Sequence, residues 1–198
     1  MAEIQPYIRL ACEGGKTEPN YFNGYLRSKG FKQPNMAFKP KDHSPIGVAR
    51  AAKEEYQKAI RLKIPKDKIF VWAIFDRDGH AGVENAIEML RTTAISTAFS
   101  NICFEYWILL HFERTSRSFS NCDELVRDIK ENHDSDYDKA NNHFDRLKDR
   151  VPNAISNATW LKNAIWREEE RPVWQLNPYT DVHHIFNSLL EKGFINDI

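Results

Sequence analysis

The first hundred residues alternate between short apolar runs and longer stretches whose apolar positions recur every three or four residues. Tyr7 to Cys12 (YIRLAC) is a brief apolar run that ends at Glu13-Gly14-Gly15, where two glycines permit a tight turn, and it reads as a strand followed by a loop. Thr17-Glu18-Pro19 then offers a capping hydroxyl, an acid for the helix dipole and a proline suited to a first turn. Tyr21, Phe22, Tyr25 and Leu26 follow at helical spacing to about Lys29-Gly30. Met36 to Lys39 predicts a weak second strand. Ser44-Pro45 opens a helix that carries Val48, Ala51, Ala52, Tyr56, Ala59 and Ile60 on one stripe, and Pro65 closes it. Ile69 to Phe75 (IFVWAIF) is unbroken by any polar residue, the pattern of a central strand covered on both faces. Asp76-Arg77-Asp78-Gly79 ends that run, Val83 to Leu90 predicts a helix and Ala94 to Phe99 a fourth strand. The alternation predicts an α/β fold, a mostly parallel, doubly wound Rossmann-like sheet flanked by helices.

From Ser100 onward the spacing turns helical: 101–112, 122–131, 137–150, 152–169 and 180–192, with no competing strand. Residues 114–121 and 171–178 read as connectors. The chain thus divides into an α/β core, residues 1–118, and a helical C-terminal extension, residues 119–198, packing on or beside it.

Composition narrows the functional classes. With 41% apolar and 12% aromatic residues in 198, the chain is neither disordered nor low in complexity. Twenty-eight basic and 28 acidic residues cancel, so no global field draws it to a polyanion and any such site must be local. Cys12, Cys103 and Cys122 are odd in number and widely spaced, which argues against a disulfide framework and a structural zinc site, and for a cytoplasmic home. No apolar run approaches the roughly 18 residues that span a bilayer, so no membrane association is expected.

Three carboxylates gain interest from where the predicted strands put them. Glu13 follows the first strand, and Asp76 and Asp78 follow the third, at the carboxyl edge where open parallel sheets bind ligands. Asp76 and Asp78, two apart, project to one side if the chain stays extended. Crowded carboxylates raise one another's pKa unless a cation neutralises them, and Mg²⁺ (or Mn²⁺) is a hard ion content with few protein oxygens plus substrate phosphate. Lys16 is placed to offset charge on a phosphate oxygen. Taken singly, each acid is also explained as a solvated turn or a loop cap; the joint placement favours the metal site.

Residues 11–22 (ACEGGKTEPNYF), Phe75 to Asp78, 100–112 (SNICFEYWILLHF) and Asn177-Pro178 resemble the RloB-like family, in family order and across most of the chain. That resemblance implies a TOPRIM-type fold in which Asp76 and Asp78 bind Mg²⁺ and Glu13 serves as general acid or base. It also implies a nuclease of prokaryotic restriction or phage-defence loci, commonly beside a partner ATPase. Ile102 stands where the family commonly has proline, and Gly79 where an acid is usual. Glu105 is a candidate supporting residue, as a further metal ligand, a partner for Lys16 or a structural acid at a helix edge. His111 reads as a core histidine.

Gly14-Gly15-Lys16-Thr17 lacks the upstream glycine of a phosphate-binding loop, so ATP hydrolysis is expected of another protein. Trp160, Trp166 and Trp174 lie among basic residues, but Glu168 to Glu170 oppose a polyanion and packing explains the tryptophans better. Two functions follow. One is Mg²⁺-dependent phosphodiester hydrolysis of nucleic acid, DNA or RNA unresolved. The other is a non-catalytic metal- or nucleotide-binding regulatory subunit of a defence ATPase, which the zero net charge favours.

Overall fold

The computed structural model describes residues 5–77 and 82–198. Its five strands are β1 (Tyr7–Cys12), β2 (Ala37–Phe38), β3 (Ile69–Asp76), β4 (Ser96–Asn101) and β5 (Tyr179–Thr180). They form one sheet in the order β2-β1-β3-β4-β5, parallel except where β5 runs against β4. The fold is α/β, as the alternation of patterns predicts. The chain leaves β1 for β2 on one side and then crosses to β3 on the other, so the strand order reverses about β1. Sheets of this kind bind ligands beyond the carboxyl ends of the strands at such a reversal.

Side-chain alternation in β1 and β3 feeds two separate layers. Tyr7 and Ala11 join Ile69, Val71, Ala73 and Phe75 under α2 (Pro45–Arg61) and α3 (Val83–Leu90), which contribute Val48, Ala52, Ala59, Ala86 and Leu90. Ile8, Leu10, Cys12, Phe70, Trp72 and Ile74 face the opposite layer. There α1 (Thr17–Ser28), α4 (Glu105–Leu109), α5 (Cys122–Asn132), α6 (Phe144–Leu147), α7 (Val151–Trp160) and α8 (His183–Glu191) share one apolar cluster centred on Phe22, Trp107 and Phe186. Ser44 caps α2, its Oγ accepting from Gly47 N–H at 3.1 Å. Ser44→Ala should cost about 1 kcal/mol in urea unfolding, and a loss too small to measure would deny the cap its role.

Four expectations are corrected. The helix expected from residue 101 begins only at Glu105, because β4 runs on to Asn101 and pairs there with β5. Thr180, expected to begin the last helix, belongs instead to β5, and α8 starts at His183. The helix expected over 137–150 shrinks to α6 and a 3₁₀ turn at Lys148–Arg150. Asp138 and Asn142 side chains there accept from nearby backbone N–H groups of Ala140 and Phe144, a local alternative to helical bonds. The helix expected over 152–169 keeps α geometry only to Trp160 and then makes one π-helical turn, Leu161–Ile165.

The cysteine expectation is also overturned. Cys103 and Cys122 form a disulfide with their Cα atoms 5.9 Å apart, while Cys12 is free and buried. The two are 19 positions apart in sequence, but the chain folds back between α4 and α5, so spacing along the chain says nothing about spacing in the fold. The odd count therefore no longer argues for a reducing compartment. Among the described residues no helix is long and apolar enough to cross a membrane.

Candidate metal centre at the carboxyl edge

β1 and β3 are neighbours, with Cys12 opposite Ile74, so the residues that follow them emerge side by side. Glu13 N–H donates to Ile74 O at 3.1 Å, and Glu13 Oε2 accepts from Asp76 N–H at 3.2 Å. The two acids that sequence places on different strands are thus joined through the backbone. Their side chains have different parity. Asp76 follows Phe70, Trp72 and Ile74 toward α1 and α4, whereas Glu13 has the parity of Tyr7 and Ala11.

Asp76 opens onto a cavity of about 340 Å³ whose walls also include Lys16, Thr17, Glu18, Glu105 and Lys139. Glu18 comes from the first turn of α1 and is only 2% exposed. It folds back so that Gly14 N–H donates to its Oε1 at 3.0 Å. A Cβ on Gly14 would meet the Glu18 carboxylate and displace it from this position. Glu105, equally buried, opens α4. Its Oε1 lies 3.2 Å from the Thr17 hydroxyl, which also faces Lys139 O at 3.1 Å, and 3.4 Å from the Tyr137 hydroxyl. Its Oε2 lies 3.5 Å from Lys139 Nζ and 3.3 Å from Cys122 Sγ.

The acids exceed the lysines in this space, and the electrostatics follow. Burial, and then the charges of Glu18, Glu105 and Glu13, push the Asp76 carboxyl well above the usual carboxylate range. Burial, then Glu105, pushes Glu18 up to about 7. Asp76 Oδ1 is buried and has no hydrogen-bond partner among the described residues. A buried carboxylate oxygen without a donor, amid further carboxylates, suits a hard divalent cation. Asp76, with Glu18 and Glu105 on the same walls, has the chemistry to hold one, whereas Glu13 does not line the cavity.

Two tighter groups of metal-ligand atoms exist among the described residues, and both are otherwise engaged. Cys103 and Cys122 beside Glu105 are committed to the disulfide. Of Glu113, Asp128 and His133, the two acids pair with Arg117 and the imidazole stacks on Phe112.

Residues 8–189, nearly the whole chain, match the family described as RloB-like protein. The chain belongs to the RloB-like family. No curated protein and no solved structure matches it.

Within this RloB-like chain, Glu13 and Asp76 meet through a hydrogen bond, and Lys16, at the N-cap of α1, lines the cavity. Asp78 lies outside the described residues. Glu105 lines the cavity too, paired with Lys139 in place of Lys16. Sequence reasoning passed over two residues. Glu18 was read as an acid for the helix dipole, although it lies within the ACEGGKTEPNYF segment that carries the resemblance. Lys139 carries no signal, because a loop more than a hundred residues downstream delivers it. His111 is a core residue as expected, with Nδ1 2.9 Å from Trp107 O and Nε2 2.9 Å from the Tyr21 hydroxyl, and burial lowers it to about 4. Trp166 donates its indole N–H to Pro178 O at 2.8 Å and packs against both apolar clusters, in line with the packing reading.

Proposed function

We propose that this protein hydrolyses phosphodiester bonds of nucleic acid with Mg²⁺ or Mn²⁺ as cofactor. The observation that carries the reading is the buried, donor-less Asp76 oxygen facing a cavity shared with Glu18, Glu105, Lys16 and Lys139. A divalent cation held there supplies Lewis-acid polarisation of the phosphate. Lys16 offsets negative charge that builds on a phosphate oxygen. Asp76 N–H holds the Glu13 carboxylate at the edge of β1, and its role as general acid or base in this reading rests on the family resemblance alone. Thr17 and Tyr137 hold Glu105, and through its pairing with Lys139 they fix the far wall. Asp78 joins Asp76 in this reading through the family resemblance alone. A role in prokaryotic antiviral defence, with a partner ATPase, is part of the same proposal.

The test is to incubate EDTA-treated protein with labelled DNA and RNA, with and without Mg²⁺ or Mn²⁺, and with and without its genomic neighbour. Cleavage is expected only when cation is present. If no preparation cuts either polymer although cation raises the melting temperature, the protein is a metal-binding regulatory subunit and the hydrolytic reading fails.

A further inference from the structure

Cys103, Cys122 and Glu105 come together beside the acidic cavity. All three are buried, and their two sulfurs and one Glu105 carboxylate oxygen lie within 4.8 Å of one another. Glu105 and Lys139 line the cavity, and Lys139 Nζ donates to Cys122 Sγ at 2.9 Å, so the cysteine pair backs onto the cavity wall. Glu105 Oε2 stands 3.3 Å from Cys122 Sγ. A sulfur in a disulfide has no proton to donate, so while the bond is intact that contact does nothing for a buried carboxylate.

Reduction changes what the three residues offer. A dithiol reductant transfers two electrons and two protons to the Cys103–Cys122 bond, leaving two thiols and becoming a disulfide itself. Two sulfurs and one carboxylate are a donor set for a borderline-soft divalent cation, whereas Mg²⁺ takes oxygen ligands. The spacing suits Zn²⁺. A sulfur and a carboxylate oxygen bound to one tetrahedral Zn²⁺, at about 2.3 and about 2.1 Å, are about 3.6 Å apart, close to the 3.3 Å between Cys122 Sγ and Glu105 Oε2. Two such sulfurs are about 3.8 Å apart, a separation that side-chain rotation gives to cysteines whose Cα atoms are 5.9 Å apart. On binding, each thiol releases its proton to solvent. The centre then carries one net negative charge, which Lys139 offsets.

We propose that the reduced protein binds Zn²⁺ through Cys103 Sγ, Cys122 Sγ and Glu105 Oε2, at a centre that the disulfide closes. Three protein ligands leave a fourth position for water. The two sulfurs lie outside the walls of the acidic cavity, so the centre stands without the hydrolytic reading. Glu105 belongs to both places: its Oε1 stays with the Thr17 and Tyr137 hydroxyls while Oε2 turns to the zinc. The oxidation state of one bond thereby decides whether a soft cation sits against the cavity wall.

The experiment reduces full-length protein with dithiothreitol, removes the reductant under argon and titrates Co²⁺ as a coloured stand-in for Zn²⁺. Reduced wild type should give a thiolate-to-cobalt charge-transfer band and the visible absorption of tetrahedral Co²⁺, both bleached by stoichiometric Zn²⁺ and untouched by excess Mg²⁺. Oxidised protein and the paired Cys103→Ser, Cys122→Ser variant, which keeps Cys12, should give neither. Glu105→Gln should weaken Co²⁺ binding at least about tenfold. Absence of the charge-transfer band from reduced wild type, its survival in the paired serine variant, or Glu105→Gln binding at wild-type strength overturns the proposal. If reduced wild type unfolds, refolding on addition of Zn²⁺ upholds the centre and failure to refold rejects it. No readout involves cleavage, so the hydrolytic reading is judged separately.

Discussion

Asp76→Asn should cleave at least about 100-fold more slowly than the parent, a loss matching several kcal/mol of transition-state charge stabilisation, and yet be the more stable protein in EDTA at pH 7. The two effects have one origin. Asp76 is held where its ionised form is penalised by burial and by the charges of Glu18, Glu105 and Glu13. The amide keeps the shape and drops the charge, and with it the means to hold the proposed cation. Glu18 supplies the pH dependence. Its folded-state value of about 7 lies above its ordinary 4.5, so its contribution to stability is fully present below pH 4.5 and is lost as pH rises through about 7. Ionised Glu18 then costs on the order of 3 kcal/mol. Cation-free wild type should therefore weaken across that window in urea unfolding, and Glu18→Gln should flatten the profile. Added Mn²⁺ should restore stability at pH 7 in wild type far more than in Asp76→Asn. A pH-independent wild type, or an Asp76→Asn protein less stable than wild type in EDTA, would contradict this account of the cavity.

Removing the Cys103–Cys122 bond should lower stability by about 3 kcal/mol, the chain-entropy value for closing a loop of this size. The two cysteines lie 19 positions apart and join the segment before α4 to the start of α5. For a chain of this length the loss corresponds to a fall in melting temperature of roughly 6–12 °C. Paired Cys103→Ser and Cys122→Ser substitutions should show it without reductant, and wild type should show it only with reductant. Insensitivity of wild type to reductant would count against the bond. The effect should reach the cavity as well, because Lys139 Nζ rests 2.9 Å from Cys122 Sγ and Glu105 Oε2 3.3 Å from it.

Much of the architecture was legible because strong patterns coincide with strong physics. IFVWAIF is apolar without interruption because both layers cover β3, and Ser44-Pro45 announces α2 because the hydroxyl and the ring each suit a helix start. β5 was not legible. Two residues have no periodicity, and Tyr179–Thr180 is a strand only because Asn101 and Ser100 stand opposite. The same pairing claimed the first residue of the expected helix, Asn101, for β4. The meeting of Glu13 with Asp76 could be foreseen once two strands were expected to share an edge. The prominence of Glu18 could not, because it depends on which face of β3 the Asp76 side chain joins and on how α1 docks there. Lys139 and the disulfide depend on how the chain returns after α4 and α5, where local sequence is silent.

The division of alternate β1 and β3 residues between two layers restricts how this chain can change in length. Deleting or inserting a single residue within β3 would turn Asp76 away from Glu18 and Glu105 toward α2 and α3, and would bring Phe75 or Arg77 to the cavity instead. Changes in length compatible with the acidic cavity are therefore confined to the connecting loops or to steps that preserve parity, whatever else in the sequence drifts.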